Sequence, residues 1–299
     1  MKKLQIRNIL IPTDFSKTSL LALEQAAFMA RLCKADLHLL HVVEISDTVY
    51  NIYNPAILIN DVGAVEKLAL KQLMELAATI KKKYAIGVKP ICKDGYTTSV
   101  IIDTVNERNI DIVVMGTHGA SGFNEFFMGS NAHKTVTICP CPVITVQTHS
   151  KKIGFTNIVL PIDDCVYSRQ KVDSTIALAK KYAAKINILG FLEKGNDTDP
   201  EKFNVKIASV QKAVEKAGLP YEIKITKGNN FAESTMNFSK KIKADLVVVL
   251  TDHESHMKSM FLGAFAKRIV NHSRIPVMSI KPEDTGVYDT VSLAGSNGF

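Results

Sequence analysis

An internal repeat constrains this chain more than any other feature. Ile9-Leu10-Ile11-Pro12-Thr13-Asp14 returns as Ile158-Val159-Leu160-Pro161-Ile162-Asp163, and Leu37-His38-Leu39-Leu40 returns as Ile186-Asn187-Ile188-Leu189, each 149 residues later. Asp111-Ile112-Val113-Val114-Met115 returns as Asp245-Leu246-Val247-Val248-Val249, and Pro142-Val143 as Pro276-Val277, each 134 residues later. The second copy is therefore 15 residues shorter between its second and fourth strands, and the loop-like stretch Glu44 to Gly63 is the expected donor. A chain of 299 residues is too long for one ordinary domain and suits two. We assign residues 1–149 to the first domain, 150–282 to the second and 283–299 to a C-terminal tail.

Within each copy, short β-branched and aliphatic runs alternate with longer helical patterns, the mark of βαβ units and a parallel sheet. In the first copy Ile9 to Ile11 reads as a buried strand and Ser16 as the cap of a helix whose inner face is Leu20, Leu23, Ala27 and Ala30. Leu37 to Val43 is the second strand, and Val65, Ala69, Leu73, Leu76 and Ile80 trace the core face of the next helix. Val88 to Cys92 is a weaker strand that Pro90 pushes to an edge; Ile112 to Met115 and Val143 to Val146 complete five. The expectation is an α/β fold of two tandem doubly wound, five-stranded, Rossmann-like layers. Gln147 to Phe155 reads as a linker, and the tail is either mobile or a short strand.

Composition removes several function classes. With 46% hydrophobic and 22% charged residues the chain is a folding one. No apolar run approaches the ~18 residues of a membrane span. The N-terminal segment lacks a signal-peptide core, so a cytoplasmic location is expected. Five cysteines, an odd and sparse set, read as reduced thiols. The net charge of +8 is spread along helices. The clusters Lys81-Lys82-Lys83 and Lys240-Lys241-Ile242-Lys243 have no interleaved aromatics and read as solvated helix ends rather than a nucleic-acid surface.

The chemistry concentrates after the fourth strand. Gly116-Thr117-His118-Gly119 is followed by nine residues, then Gly129-Ser130 and a helical stretch beginning at Asn131. Glycines let backbone amides approach a polyphosphate, Ser130 adds a hydroxyl, and a helix start favours negative charge. Glycines serving only tight turns are the alternative at this point. Asp14 lies just past strand one, across the expected switch-point crevice, where a carboxylate suits ribose hydroxyls; a turn or cap role is again the alternative. Val42 offers backbone groups to an adenine edge.

The spacing Gly-two-Gly-nine-Gly-Ser, together with Ile11-Pro12-Thr13-Asp14 and Cys139-Pro140-Cys141-Pro142-Val143, resembles the universal stress protein family in its tandem two-domain form, over residues 1 to 282. The resemblance implies strand order 3-2-1-4-5 and an intramolecular pseudo-dimer through the last strands. It also implies ATP binding, with Mg²⁺ on the phosphates, where the glycine motif is kept. Carried over, Gly116, Gly119, Gly129 and Ser130 hold phosphates, Asp14 the ribose and Val42 the adenine, with Pro12 and Thr13 walling the base. Asn131 departs from the apolar residue expected there, so its backbone amide is the expected contact.

In the second copy Gly116, Gly119 and Ser130 become Leu250, His253 and Ala264, while Gly263 and Asp163 keep their places. We expect that half to bind no ATP, its crevice plugged by Leu250 and His253. Asp252-His253-Glu254-Ser255-His256 offers metal-ligand types without an established spacing, and Cys139 and Cys141 read as packing residues. With no catalytic set in sight, the expectation is a non-enzymatic, ATP-binding stress or regulatory protein with at most slow hydrolysis. An interaction module with a relic loop, and an ATP-dependent ligase or adenylyl transferase, are the rivals. Partners beyond adenine nucleotide, including a homodimer of the tandem chain and an unidentified protein, stay open.

Overall fold

The structure, a computed structural model, describes residues 4–44, 55–117, 128–150, 152–195, 199–251 and 262–283. The first half runs β1 (Asn8–Pro12), α1 (Lys17–Cys33), β2 (Asp36–Val43), α2 (Pro55–Tyr84), β3 (Val88–Asp94), α3 (Thr97–Glu107), β4 (Ile112–Gly116), α4 (Ser130–Ile138) and β5 (Val143–Val146). The second runs β6 (Asn157–Ile162), a 3-10 turn (Val166–Arg169), α5 (Val172–Tyr182), β7 (Lys185–Glu193), α6 (Pro200–Lys216), β8 (Tyr221–Gly228), α7 (Phe231–Lys241), β9 (Leu246–Leu250), α8 (Ala264–His272) and β10 (Val277–Ile280).

All ten described strands form one sheet in the order β3-β2-β1-β4-β5-β10-β9-β6-β7-β8. Each half thus has the order 3-2-1-4-5, parallel throughout, and the halves meet through their last strands. There β5 and β10 pair antiparallel, with Thr145 opposite Val277 and Ile144 opposite Met278. This seam covers two strand edges that would otherwise stand open.

The strands are apolar on both faces because helices cover both. On β4, Ile112 and Val114 face one core, while Val113 and Met115 face the other. Residues of α1, α2, α5 and α6 fill the first core, and residues of α3, α4, α7 and α8 fill the second. Each core therefore runs across both halves. The connections on either side of the β1–β4 pair lie on opposite faces, which parts the chain at the carboxyl ends of these strands and leaves a crevice.

Ser16 caps α1 as expected, its hydroxyl accepting from the Ser19 amide at 3.3 Å. Several details differ from the sequence expectation. Leu20 and Val65 are 36% and 53% exposed, so neither belongs to a core face; Leu20 lies off the buried stripe Thr18, Ser19, Ala22, Leu23 and Ala26, and Val65 lines the cavity described below. Residues from Pro55 onward are helical, and α2 has 30 residues against 17 in α6, so most of the length difference between the copies is helix rather than loop. The linker is docked: Phe155 is fully buried beside Tyr182, and the Gln25 amide bonds Lys152 O and Gly154 N. Of the tail, Glu283 is described, exchanging backbone bonds with the Gln170 side chain, and 284–299 lie outside the described residues.

The repeated aspartate ahead of the fourth strand has the same job in each half. Asp111 accepts from the amides of Arg7 and Asn8 at 2.7 and 2.8 Å, and Asp245 from those of Thr156 and Asn157 at 3.0 and 2.9 Å, with Lys152 adding an ion pair. These carboxylates clip the start of β1 and β6 to the neighbouring strand. Asp245 is 6% exposed, so Asp245→Ala removes the acceptor of two part-buried amides and is expected to destabilise the chain by about 1–2 kcal/mol, read as a lower urea midpoint. An unchanged midpoint contradicts the clip.

Candidate functional site

At the carboxyl ends of β1, β2 and β4 lies a cavity of about 600 Å³. Pro12, Thr13, Asp14, Val42, Gly116, Gly129, Ser130 and Asn131, all anticipated from sequence, line it. Gly119 and His118 lie outside the described residues. His41, Glu44 and Thr97 also line the cavity, and the sequence reading missed them.

The β1 side is a tight turn with its own hydrogen-bond network. Thr13 N donates to Leu40 O at 2.7 Å, prolonging the β1–β2 pairing, and its hydroxyl bonds Ser19 Oγ at 3.0 Å while accepting from Phe15 N at 3.1 Å. Phe15 takes a left-handed φ of 62°, an unusual state for a bulky residue, which the turn and the neighbouring His41 ring at 4.7 Å hold in place. His41 Nδ1 lies 2.8 Å from Thr13 O, and since a carbonyl only accepts, Nδ1 carries the hydrogen. Asp14 Oδ1 accepts from Ser16 N at 3.1 Å. Asp14 therefore performs the turn role and also presents an exposed carboxylate at the cavity wall.

The two described glycines serve different purposes. A Cβ on Gly116 would lie 3.0 Å from Thr18 Cγ2 and 3.1 Å from Ser19 N, so its bareness is what lets the first turn of α1 rest on the end of β4. A Cβ on Gly129 would meet Thr117 O at 3.4 Å, an ordinary contact, so packing does not demand glycine there. Gly129 precedes α4 and, among the described residues, no side chain caps that helix, which leaves the amides of its first turn, at Ser130, Asn131 and Ala132, at the cavity end.

Across the mouth runs a strap. Glu44 Oε1 accepts from Thr97 Oγ1 at 2.5 Å and from Asn131 Nδ2 at 3.0 Å, and Asn131 Oδ1 accepts from Thr98 Oγ1 at 3.4 Å. The Asn131 side chain thus ties α4 to β2 and α3, a role the sequence reading gave only to its amide. Among the described lining residues Asp14 and Glu44 are acidic and none is Lys or Arg.

In the second half, the described side chains at the corresponding positions differ from those of the first. Leu250 is fully buried in the core beneath α5 rather than projecting at a phosphate position. His253 and the Asp252 to His256 cluster lie outside the described residues; among those described, no group of three His, Cys, Asp or Glu is placed to hold a metal. Three of the differing side chains are aromatic: Phe191, Phe231 and Phe265 stand at the repeat positions of Val42, Thr97 and Asn131. Their rings stack in succession at 4.8 and 4.2 Å. The helix above Leu250 also starts differently. Where α1 starts at Lys17, the second copy makes the 3-10 turn Val166–Arg169 and α5 begins only at Val172.

A lysine occupies the rearranged turn. Lys171, at the repeat position of Ala22, is fully buried, and its Nζ donates to Ser168 Oγ at 3.2 Å, while Ser168 Oγ accepts from Asp163 N at 3.1 Å. Burial pulls the Lys171 ammonium down to about 8, with Asp163 and Cys165 opposing the fall and Lys206 adding to it. Lys206 donates to Asp164 O at 2.6 Å and Cys165 O at 3.1 Å. The retained Asp163 thus faces an internal ammonium.

Fold and site together define a tandem doubly wound α/β protein with a switch-point cavity in its first half. The universal stress protein family model matches twice, over residues 5–147 and 154–281, and the chain belongs to that family. Universal stress protein Slr1230 of Synechocystis is 21% identical over 295 residues, spanning 92% of this chain and 100% of its own. Universal stress protein YxiE of Bacillus subtilis is 29% identical over 145 residues, 46% of this chain and 97% of its own. The crystal structure of a universal stress protein from Archaeoglobus fulgidus matches the fold with a TM-score of 0.73 at 19% identity, covering 94% of this chain and 98% of that one. No helix among the described residues is long and apolar enough to cross a membrane.

Two outcomes follow from the asymmetry. Gly116→Ala pushes on the backbone of α1 and is expected to lose about 1–2 kcal/mol of stability in the ligand-free protein, measured by denaturant titration; no loss contradicts the packing role. For Lys171 the folded value, about 8, is below the unfolded 10.5, so the unfolded chain binds more protons between these values. Stability then rises with pH across that window, by at most about 1.4 kcal/mol per pH unit, and the burial penalty is fully present below it. Lys171→Met is expected to stabilise the chain at pH 7, with an advantage that shrinks toward pH 10; a pH-independent difference contradicts the reading.

Proposed function

We propose that the first half binds ATP as the Mg²⁺ complex, that the second half does not, and that nucleotide occupancy rather than turnover is the protein's output in a stress or regulatory role. The observation that carries this is the convergence of the uncapped α4 start, Gly129-Ser130 and the Asp14 carboxylate on one cavity. In this reading the amides of α4 and the Ser130 hydroxyl take phosphate oxygens, the Asp14 carboxylate accepts from ribose hydroxyls, and Val42 with Pro12 flanks the base. Gly119 is proposed to complete the phosphate set.

The donor chemistry fits a cation that arrives with its ligand. Mg²⁺ keeps most of its waters and binds chiefly through the phosphates, so it asks for no dedicated cage of protein ligands here. The cation supplies charge neutralisation where the described walls offer no Lys or Arg. Glu44, held at the α4 start, weakens the site for an unneutralised triphosphate. Any hydrolysis is slow in this account.

Calorimetric titration of the purified chain tests the reading. Mg-ATP is expected to bind, and Gly129→Val with an unchanged circular dichroism spectrum to weaken it at least tenfold, about 1.4 kcal/mol. Glu44→Gln is expected to tighten ATP severalfold, about 1 kcal/mol, and to leave adenosine unaffected. No heat at millimolar nucleotide, or a Gly129 variant equal to the wild type, removes the proposal and leaves the interaction-module reading.

A further inference from the structure

We propose that Cys139 and Cys141 form a dithiol that peroxide closes into an intrachain disulfide. Their sulfurs lie 3.6 Å apart at the bend between α4 and β5. A disulfide needs about 2.05 Å, so closure asks for a movement of about 1.5 Å. The second copy shows that this bend folds its first side chain over its third residue. Ser273 and Ile275 stand at the repeat positions of Cys139 and Cys141, and Ser273 has φ −67°, ψ 139° where Cys139 has φ −59°, ψ 130°. There Ser273 Oγ donates to Ile275 O at 2.7 Å and accepts from Ile275 N at 3.2 Å. The backbone geometry that lets a serine lock the bend by hydrogen bonds sets two sulfurs face to face in the first half.

The local chemistry singles out this pair among the five cysteines. The Cys141 S–H bonds the Cys139 sulfur, which pulls the Cys139 thiol below its ordinary value and pushes Cys141 above it; the Lys281 ammonium assists the fall at Cys139. Burial pushes the thiols of Cys33, Cys92 and Cys165 upward. Thiolate character decides which cysteine meets an oxidant first. Cys139 is 1% exposed, which favours a reagent little larger than water over a bulky disulfide.

The step balances. The Cys139 thiolate attacks one peroxide oxygen, the O–O bond breaks, and the departing hydroxide leaves as water with the Cys141 proton. The Cys141 thiolate then attacks the sulfenic sulfur and expels hydroxide, which takes up the proton first lost from Cys139. Two thiols and one peroxide give one disulfide and two waters. The bend closes α4 at the end opposite Ser130 and leads directly into β5, the seam strand. The disulfide itself does not depend on nucleotide binding.

The test is hydrogen peroxide titration of the full chain, alkylation, trypsin digestion and mass spectrometry of the 135–151 peptide, which holds both cysteines and no other. The expected result is a peptide about 2 Da lighter than the dithiol form and resistant to alkylation, at peroxide levels that leave Cys33, Cys92 and Cys165 alkylatable, and restored by dithiothreitol. Cys141→Ser and Cys139→Ser, each checked for folding by circular dichroism, should abolish the lighter species. The proposal is overturned if both thiols stay alkylatable while other cysteines oxidise. It is overturned equally if the peptide gains oxygen without the lighter form, or if the lighter form survives in either variant.

Discussion

The close approach of α1 to β4 over Gly116 is the contact on which the first site depends. With no Cβ in the way, the first turn of α1 rests on the strand end, and Ser16, Ser19 and the Thr13-Asp14 turn are drawn to the cavity edge. The second copy differs at that position. Leu250 is buried there, the helix starts later, a 3-10 turn takes up the slack, and Lys171 enters opposite Asp163. The residue at the end of this central strand thus goes with a different start of the helix above it in each half, and the three phenylalanines add a second difference.

The second half is a built structure rather than a decayed one. Phe191, Phe231 and Phe265 come from β7, α7 and α8 and stack in sequence, replacing a small apolar and two polar residues of the first half. Large rings buried against one another stabilise the layer by area and geometry, and the buried Lys171 offsets part of that gain. What the second half gives the first is a continuous sheet: β10 covers the edge of β5, and each apolar core spans both halves.

Much of this was legible from residues alone, and for physical reasons. Strands buried on both faces write themselves as apolar runs, and the repeat supports each assignment, whereas the strand order and the seam came from the resemblance to the universal stress protein family. The glycines, Ser130 and Asp14 were visible because backbone approach and helix starts demand those residue types locally. What stayed hidden depends on distance in space. The Glu44–Asn131 strap joins residues 87 apart, and the three phenylalanines look like ordinary core positions until the fold stacks them. Gly116 looked like a phosphate glycine, yet its clash with Thr18 and Ser19 is a packing requirement that spacing does not express. Periodicity also over-extended the core faces of α1 and α2 to Leu20 and Val65: Leu20 lies off the buried stripe of α1, and Val65 lines the cavity.

The central claim is that one crevice of this tandem protein takes nucleotide and the other does not. A crystal soaked with Mg-ATP tests it most directly. The account predicts nucleotide density between the Asp14 turn and the start of α4, with the three phenylalanine rings unmoved in the other half. Density beside Phe191 and Phe265 with the first crevice empty contradicts it.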